Sequence, residues 1–287
     1  LGAGLDPARL IPVGIFENIR QQQIRLGEQM TAVLAPAMER FAASIAPILD
    51  SWSAAFARAR PGLLRSLELL YRTVSYPPNW RGLESLPEEH LIDRILLDEG
   101  LPLAWLPDER TLRQLFEAES AQARRRILGR KRPELISQCV YHLDQIHDSE
   151  LIRYVRFGRA AARCLEIGEY EAAQALATNV LDSILREQFG SGTAITNQNS
   201  RFARGEWHPQ VALALAGIWG IHAKAYRPAP VPRTYNRHAT AHRVSGWQYN
   251  RINATIALMH TVGLMRSLQL VEPAERARQR IGGGVGT

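Results

Sequence analysis

The chain has 287 residues, 46% of them hydrophobic, and a formal net charge of +7. The length fits one large or two modest domains of about 150 residues each, and the apolar fraction is ordinary for a chain that buries a core. No uninterrupted apolar run of about 18 residues occurs, which excludes a transmembrane helix, and two cysteines, Cys139 and Cys164, are too few for a disulfide framework or a cysteine zinc site.

Leu, Ala, Arg and Glu are abundant and no window sustains apolar alternation, so the pattern predicts an all-α protein. Residues 1–75 read as a region of long helices. Asp6-Pro7 offers a cap and a proline at the first helical position. Ile15, Ile19, Ile24, Leu26, Met30, Val33 and Leu34 then recur at helical spacing, and Pro36, Pro47 and Pro61 break or kink the run. An extended antiparallel pair used for self-association is the natural arrangement. No charged-then-apolar leader precedes the first helix, so nothing marks secretion. The chain starts at Leu1 rather than Met, so a missing natural start and a lost leader stay open. The cysteine usage fits a reducing cytoplasm.

Residues 76–147 read as a helical middle region. Tyr76-Pro77-Pro78-Asn79-Trp80 is expected to be extended, because two prolines restrict it. A helix is expected from Pro87 to Glu99, stopped by Gly100. Leu101 to Pro107 is an apolar loop or short strand. Asp108 and Ser120 each cap a following helix. Arg124-Arg125-Arg126 and Arg130-Lys131-Arg132 put six cations in nine residues. Such a run grips phosphate or, in the commoner case, forms a solvated helix end. Pro133 opens the next helix, ending near His147.

Residues 148–287 read as a helical bundle with a disordered, glycine-rich tail. Asp148 caps a helix to Ile167, on which Arg153, Arg156, Arg159 and Arg163 share a face. Gly168 turns the chain into a return helix to Phe189. Leu165 to Tyr170 has something of a tetratricopeptide turn, but no 34-residue recurrence exists, and a single helical hairpin is the better reading. Gly190 to Arg204 is a polar loop. His208-Pro209 opens a nearly all-apolar helix to about Tyr226, a proline-broken linker follows, and the last helix runs from about Tyr249 to Leu270. Both cysteines read as small core residues.

The charge is unevenly placed. Between Arg201 and Arg251 eight Lys and Arg residues face one acid, Glu206, an excess equal to that of the whole chain. Four histidines, His208, His222, His238 and His242, lie in the same window. Such a window attracts polyanions. Arg201, Arg204, Arg233, Arg243 and Arg251 are the candidate nucleic-acid contacts. The densest chemistry lies in Tyr235-Asn236-Arg237-His238-Ala239-Thr240-Ala241-His242.

Three readings of that octapeptide stay open. An imidazole can move the proton of a 2′-hydroxyl and a guanidinium can hold a phosphate, which together cleave RNA without a metal. His238 and His242, one helical turn apart, can be two zinc ligands, but they need a third from elsewhere. The cluster can also be purely structural.

Arg237-His238-x-x-x-His242 resembles the Arg-x4–6-His motif of the HEPN superfamily, in which a polar residue commonly follows the Arg. Asn236-Arg237-His238 followed by His242, and the downstream run Asn250 to Met259, are similar to uncharacterised HEPN-like proteins of bacteria and phages. Tyr76–Trp80 and Asp98–Pro107 are similar to segments of the same proteins. Arg243 stands where the family often has Gly. The resemblance implies an up-and-down four-helix bundle at about 148–167, 169–189, 208–226 and 249–270. It implies a homodimer or higher oligomer whose two motifs form one ribonuclease site with no cofactor, leaving a 2′,3′-cyclic phosphate. His242 would be the general acid/base, Arg237 the phosphate contact, and His238 and Asn236 orienting groups. A role as a toxin or phage-defence effector acting on RNA, restrained by an antitoxin or regulatory partner, follows from the same likeness. The rival is a helical scaffold or binding protein that uses its basic faces for acidic partners.

Overall fold

The computed structural model describes residues 21, 24, 25, 76–83, 85–189, 208–223, 231–271 and 276. The expectations for the rest of residues 1–75, the Gly190–Arg204 loop, the prolines at 228 and 230 and the glycine-rich end lie outside the described residues. Among the described residues the chain is helical throughout, with no strand, as the composition predicts.

Helix α1 (Pro78–Arg81) corrects the expectation that Tyr76–Trp80 is extended. Pro77 is extended, with φ −64° and ψ 156°, and Pro78 then opens a helical turn. A proline at the first helical position loses nothing, because its missing N–H would have no intrahelical acceptor there. The turn aims Asn79 and Trp80 at the loop 101–107. Asn79 Nδ2 donates to the carbonyls of Leu103 at 3.0 Å and Pro107 at 2.8 Å, and its Oδ1 accepts from the Trp105 N–H. Trp80 Nε1 donates to the Leu103 carbonyl at 2.7 Å. The two side chains therefore supply hydrogen bonds that the loop, which is not a strand, cannot make with itself.

Helix α2 (Glu89–Asp93) continues into a π-helical turn, Arg94–Asp98. Gly100, at φ +62°, ends it. Helices α3 (Glu109–Glu117) and α4 (Ala121–Arg130) begin at the predicted caps: Asp108 accepts from the Thr111 N–H and Ser120 from the Ala123 N–H. Helix α5 (Arg132–Asp144) follows. Asp148 caps only a turn, accepting from the N–H groups of Glu150 and Leu151. Helix α6 (Ile152–Glu166) starts after it. Arg276, from the charged stretch beyond the last helix, is buried and pairs with Asp148. Gly168, at φ +90°, links α6 to α7 (Tyr170–Phe189).

The expectation that the six-cation run is a solvated helix end fails at its start. Arg124 is 2% exposed, paired with Glu99 at 2.6 Å and donating to the Ala118 carbonyl. Arg125 reaches across to Asn253 Oδ1 at 2.7 Å. Cys139 is buried and Cys164 partly buried, and both are free thiols.

Helix α8 (Pro209–Ala223), the short α9 (Arg237–His242) and α10 (Arg251–Leu268) complete the described chain. Helix α10 is buried on nearly every side, and it packs against α4, α5, α6, α7 and α8. Its buried polar side chains are hydrogen-bonded there: Thr255, Thr261 and Ser267 donate to carbonyls of their own helix, and His260 meets the Gly100 carbonyl. Helix α8 crosses the π-helical turn at backbone contact: a Cβ at Gly220 would collide with the Leu96 carbonyl oxygen. Buried residues from Tyr76 to Val271 form one continuous core. None of the described helices is long and apolar enough to cross a membrane.

Candidate functional site

Residues 231–250 lie between α8 and α10 and carry α9 on a frame of buried amides. Asn236 is the N-cap of α9, with extended backbone at φ −140° and ψ 121°. Its Oδ1 accepts from the Ala239 N–H at 2.9 Å, and its Nδ2 donates to the Ile221 carbonyl at 3.1 Å. The cap thus hangs α9 from the C-terminal turn of α8. Gln248 is fully buried and closes the segment on itself. It donates to the carbonyls of Pro232 and Thr234, each at 3.0 Å, and accepts from the Asn236 N–H at 2.9 Å. Asn253 donates to the Gln248 carbonyl at 2.7 Å and accepts from Arg125. The Tyr249 hydroxyl donates to the Thr240 carbonyl at 2.6 Å.

The other wall is α7. Gln174 Nε2 donates to Thr240 Oγ1 at 2.8 Å, the Thr178 hydroxyl meets the Tyr235 hydroxyl at 2.9 Å, and Asp182 takes Arg237. These three residues recur at intervals of four and so lie along one stripe of the helix. Arg237 donates from Nε to Asp182 Oδ1 at 2.6 Å, and its Nη2 pairs with Oδ2. Both side chains are 18% exposed. Such a fork fixes the plane of the guanidinium and uses two of its five N–H donors.

On the outer side of α9, His238 is half-buried and His242 exposed, with ring centroids 4.5 Å apart. Burial, then the charges of His242 and Arg237, hold the His238 imidazole below its ordinary pKa. It is therefore biased to the neutral form that can accept a proton. Desolvation also lowers the pKa of Arg237.

The structure brings Arg237, His238 and His242 together on six residues at the surface. Asn236 is buried beneath them and acts on the backbone. Arg233, Arg243 and Arg251 are exposed around the segment, and Arg233 lies over the Trp247 ring at 4.2 Å. Arg201 and Arg204 lie outside the described residues. Arg251 also faces Arg126 and Arg130 across an open cleft of about 570 Å³ that Glu117 and Glu119 share. Among the described residues no group of three or more His, Cys, Asp or Glu side chains is placed to hold a metal ion.

Asp182, Gln174, Thr178 and Gln248 escaped the sequence reading. The one available signal was the four-residue spacing of polar residues on α7, whose other buried positions are largely apolar. Comparison with known proteins adds nothing to this geometry: no family model, no curated protein and no solved structure matches the chain.

Proposed function

We propose that α9 is the catalytic element of a metal-independent endoribonuclease of the HEPN type. The observation that carries this is that one short surface helix over a buried frame bears both a clamped guanidinium and two imidazoles whose ring centroids lie 4.5 Å apart. In this reaction His242 takes the proton of a 2′-hydroxyl and the 2′-oxygen attacks phosphorus. The bond from phosphorus to the 5′-oxygen breaks, and an imidazolium returns a proton to that oxygen. The products are a 2′,3′-cyclic phosphate and a free 5′-hydroxyl. Arg237 presents its remaining N–H donors to the phosphate oxygens, whose charge grows in the transition state. His238 stays neutral beside His242 and orients it or shares its proton. Asn236 holds the helix start.

The motif is doubled in a homodimer, and the chain serves as a toxin or phage-defence effector held in check by a partner. These two parts of the reading rest on the family resemblance alone. A second reading, a helical protein that binds nucleic acid or another partner without cleaving it, is favoured by one observation: the Arg237 guanidinium is already neutralised by Asp182.

The test is incubation of RNA with the full chain in EDTA, beside Arg237→Ala and His242→Ala. Each substitution is expected to cost about 100-fold or more in rate. Cleavage that continues at the wild-type rate in both variants removes the assignment. Binding without cleavage by the wild type supports the second reading.

A further inference from the structure

We infer that Trp247, backed by Arg233, is a stacking platform for an unpaired base of single-stranded RNA. This rests on the ribonuclease reading of α9 and adds the strand state of its substrate. Trp247 is 59% exposed, although the residue after it is fully buried. One face of the indole is covered by the Arg233 guanidinium, 4.2 Å from the ring centroid.

Both residues sit on backbone that is tied down. The Trp247 N–H donates to Ser245 Oγ at 3.3 Å, and the Trp247 carbonyl accepts from Asn250 Nδ2 at 3.1 Å. The Arg233 carbonyl accepts from Asn253 Nδ2 at 3.2 Å and lies 3.4 Å from Arg125 Nη2. Asn253 also binds the Gln248 carbonyl, so the backbone that carries the ring and its cation is held by the same amides that hold α9. A fixed backbone with a guanidinium over one face narrows the positions open to the indole, and a restrained aromatic spends less conformational entropy on stacking.

The chemistry around the ring selects the ligand. Arg233, Arg243 and Arg251 are all exposed, and no acid lies between Arg233 and Arg251 in the chain. A base stacks on an indole whatever its identity, while the cations follow the backbone phosphates. A duplex hides its base faces, so the platform serves single strands. Trp247 is five residues from His242, so their Cα atoms lie no more than about 18 Å apart even if the chain between them is extended.

The test uses the full chain and a fluorescein-labelled RNA octamer carrying 2′-O-methyl groups. Without a free 2′-hydroxyl the octamer cannot be cleaved, so binding is read apart from catalysis. Anisotropy is measured for the single strand and for its duplex, on wild type, Trp247→Ala and Trp247→Phe. Trp247→Ala is expected to weaken single-strand binding about tenfold and duplex binding little, while Trp247→Phe stays within about threefold of wild type. Single-strand quenching of tryptophan fluorescence should shrink in Trp247→Phe, which keeps a ring and so keeps the surface intact. Single-strand affinity within twofold of wild type in Trp247→Ala overturns the inference. So does equal weakening of single strand and duplex, which marks the indole as part of a general surface. Cleavage indifferent to Arg237→Ala and His242→Ala would sink the ribonuclease reading and leave the stacking result standing.

Discussion

Replacing Gln248 by Leu tests whether α9 is held by its buried amides. The two side chains are close in volume, so the change removes hydrogen bonds and leaves packing nearly intact. The Asn236 N–H, in a buried residue, loses its acceptor, and the carbonyls of Pro232 and Thr234, in half-buried residues, lose a donor. An orphaned buried N–H costs about 2 kcal/mol, and each carbonyl that water can reach costs about 0.5 kcal/mol, for a total near 3 kcal/mol. That is less than the roughly 5–15 kcal/mol that holds a domain together, so the core stays folded and the loss is local. Hydrogen exchange on the full chain reads it. The amides of Ala239, Thr240 and Arg243, bonded to Asn236 Oδ1, the Asn236 carbonyl and the Ala239 carbonyl, should exchange about 100-fold faster, while α10 keeps its protection. Gln248→Glu, which keeps acceptors and loses both donors in a buried place, should be at least as damaging. Unchanged protection of α9 in either variant would refute the reasoning.

Asp182→Asn turns one half of the Arg237 fork into a donor facing a donor. It should cost about 1–2 kcal/mol in a thermal melt and, under the ribonuclease reading, lower kcat roughly tenfold with KM little changed; a faster enzyme would identify Asp182 as a mask on the guanidinium. Burial, with Arg266 adding to it, holds the His142 imidazole at about 4. Its folded pKa is below the unfolded value, so its neutral form adds stability that is complete above about pH 6.5 and is lost as pH falls through about 4. The loss is at most roughly 3 kcal/mol and, with the ring partly exposed, about half that. Urea midpoints from pH 7 to pH 4 should fall less steeply in His142→Gln, and parallel curves would count against the assignment. Arg124→Met strands the Glu99 charge and should cost about 3–5 kcal/mol in urea unfolding, whereas Arg124→Met with Glu99→Leu should recover most of it. No recovery in the double variant would mean that the Ala118 carbonyl, not the carboxylate, is what Arg124 serves.

Local signals carried most of the helices. Asp108 and Ser120 are caps whose side chains accept from the following N–H groups, and Gly100 and Gly168 sit at the positive φ their places imply; the cap of the last helix, Asn250, is not among the residues that the sequence marks as caps. Two readings failed for a reason that is itself local. Pro77-Pro78 points to an extended segment, yet a proline is equally a helix starter, and only the turn downstream decides between them. The density of cations at 124–132 points to a solvated helix end, but Arg124 is buried because Glu99, 25 residues earlier, folds against it. Within the candidate site, Arg237, His238, His242 and the cap Asn236 were legible because they are contiguous. Asp182 was not, since nothing in a 55-residue separation announces a pair before the helices are packed.

The tight crossing of α8 over the π-helical turn has a consequence far from where it occurs. Asn236 is suspended from Ile221, the neighbour of Gly220, so a single methyl group at position 220 would lever α9 outward and shift Arg237, His238 and His242 without touching any of them. A change there would pass for damaged packing, while what it displaced was the candidate site.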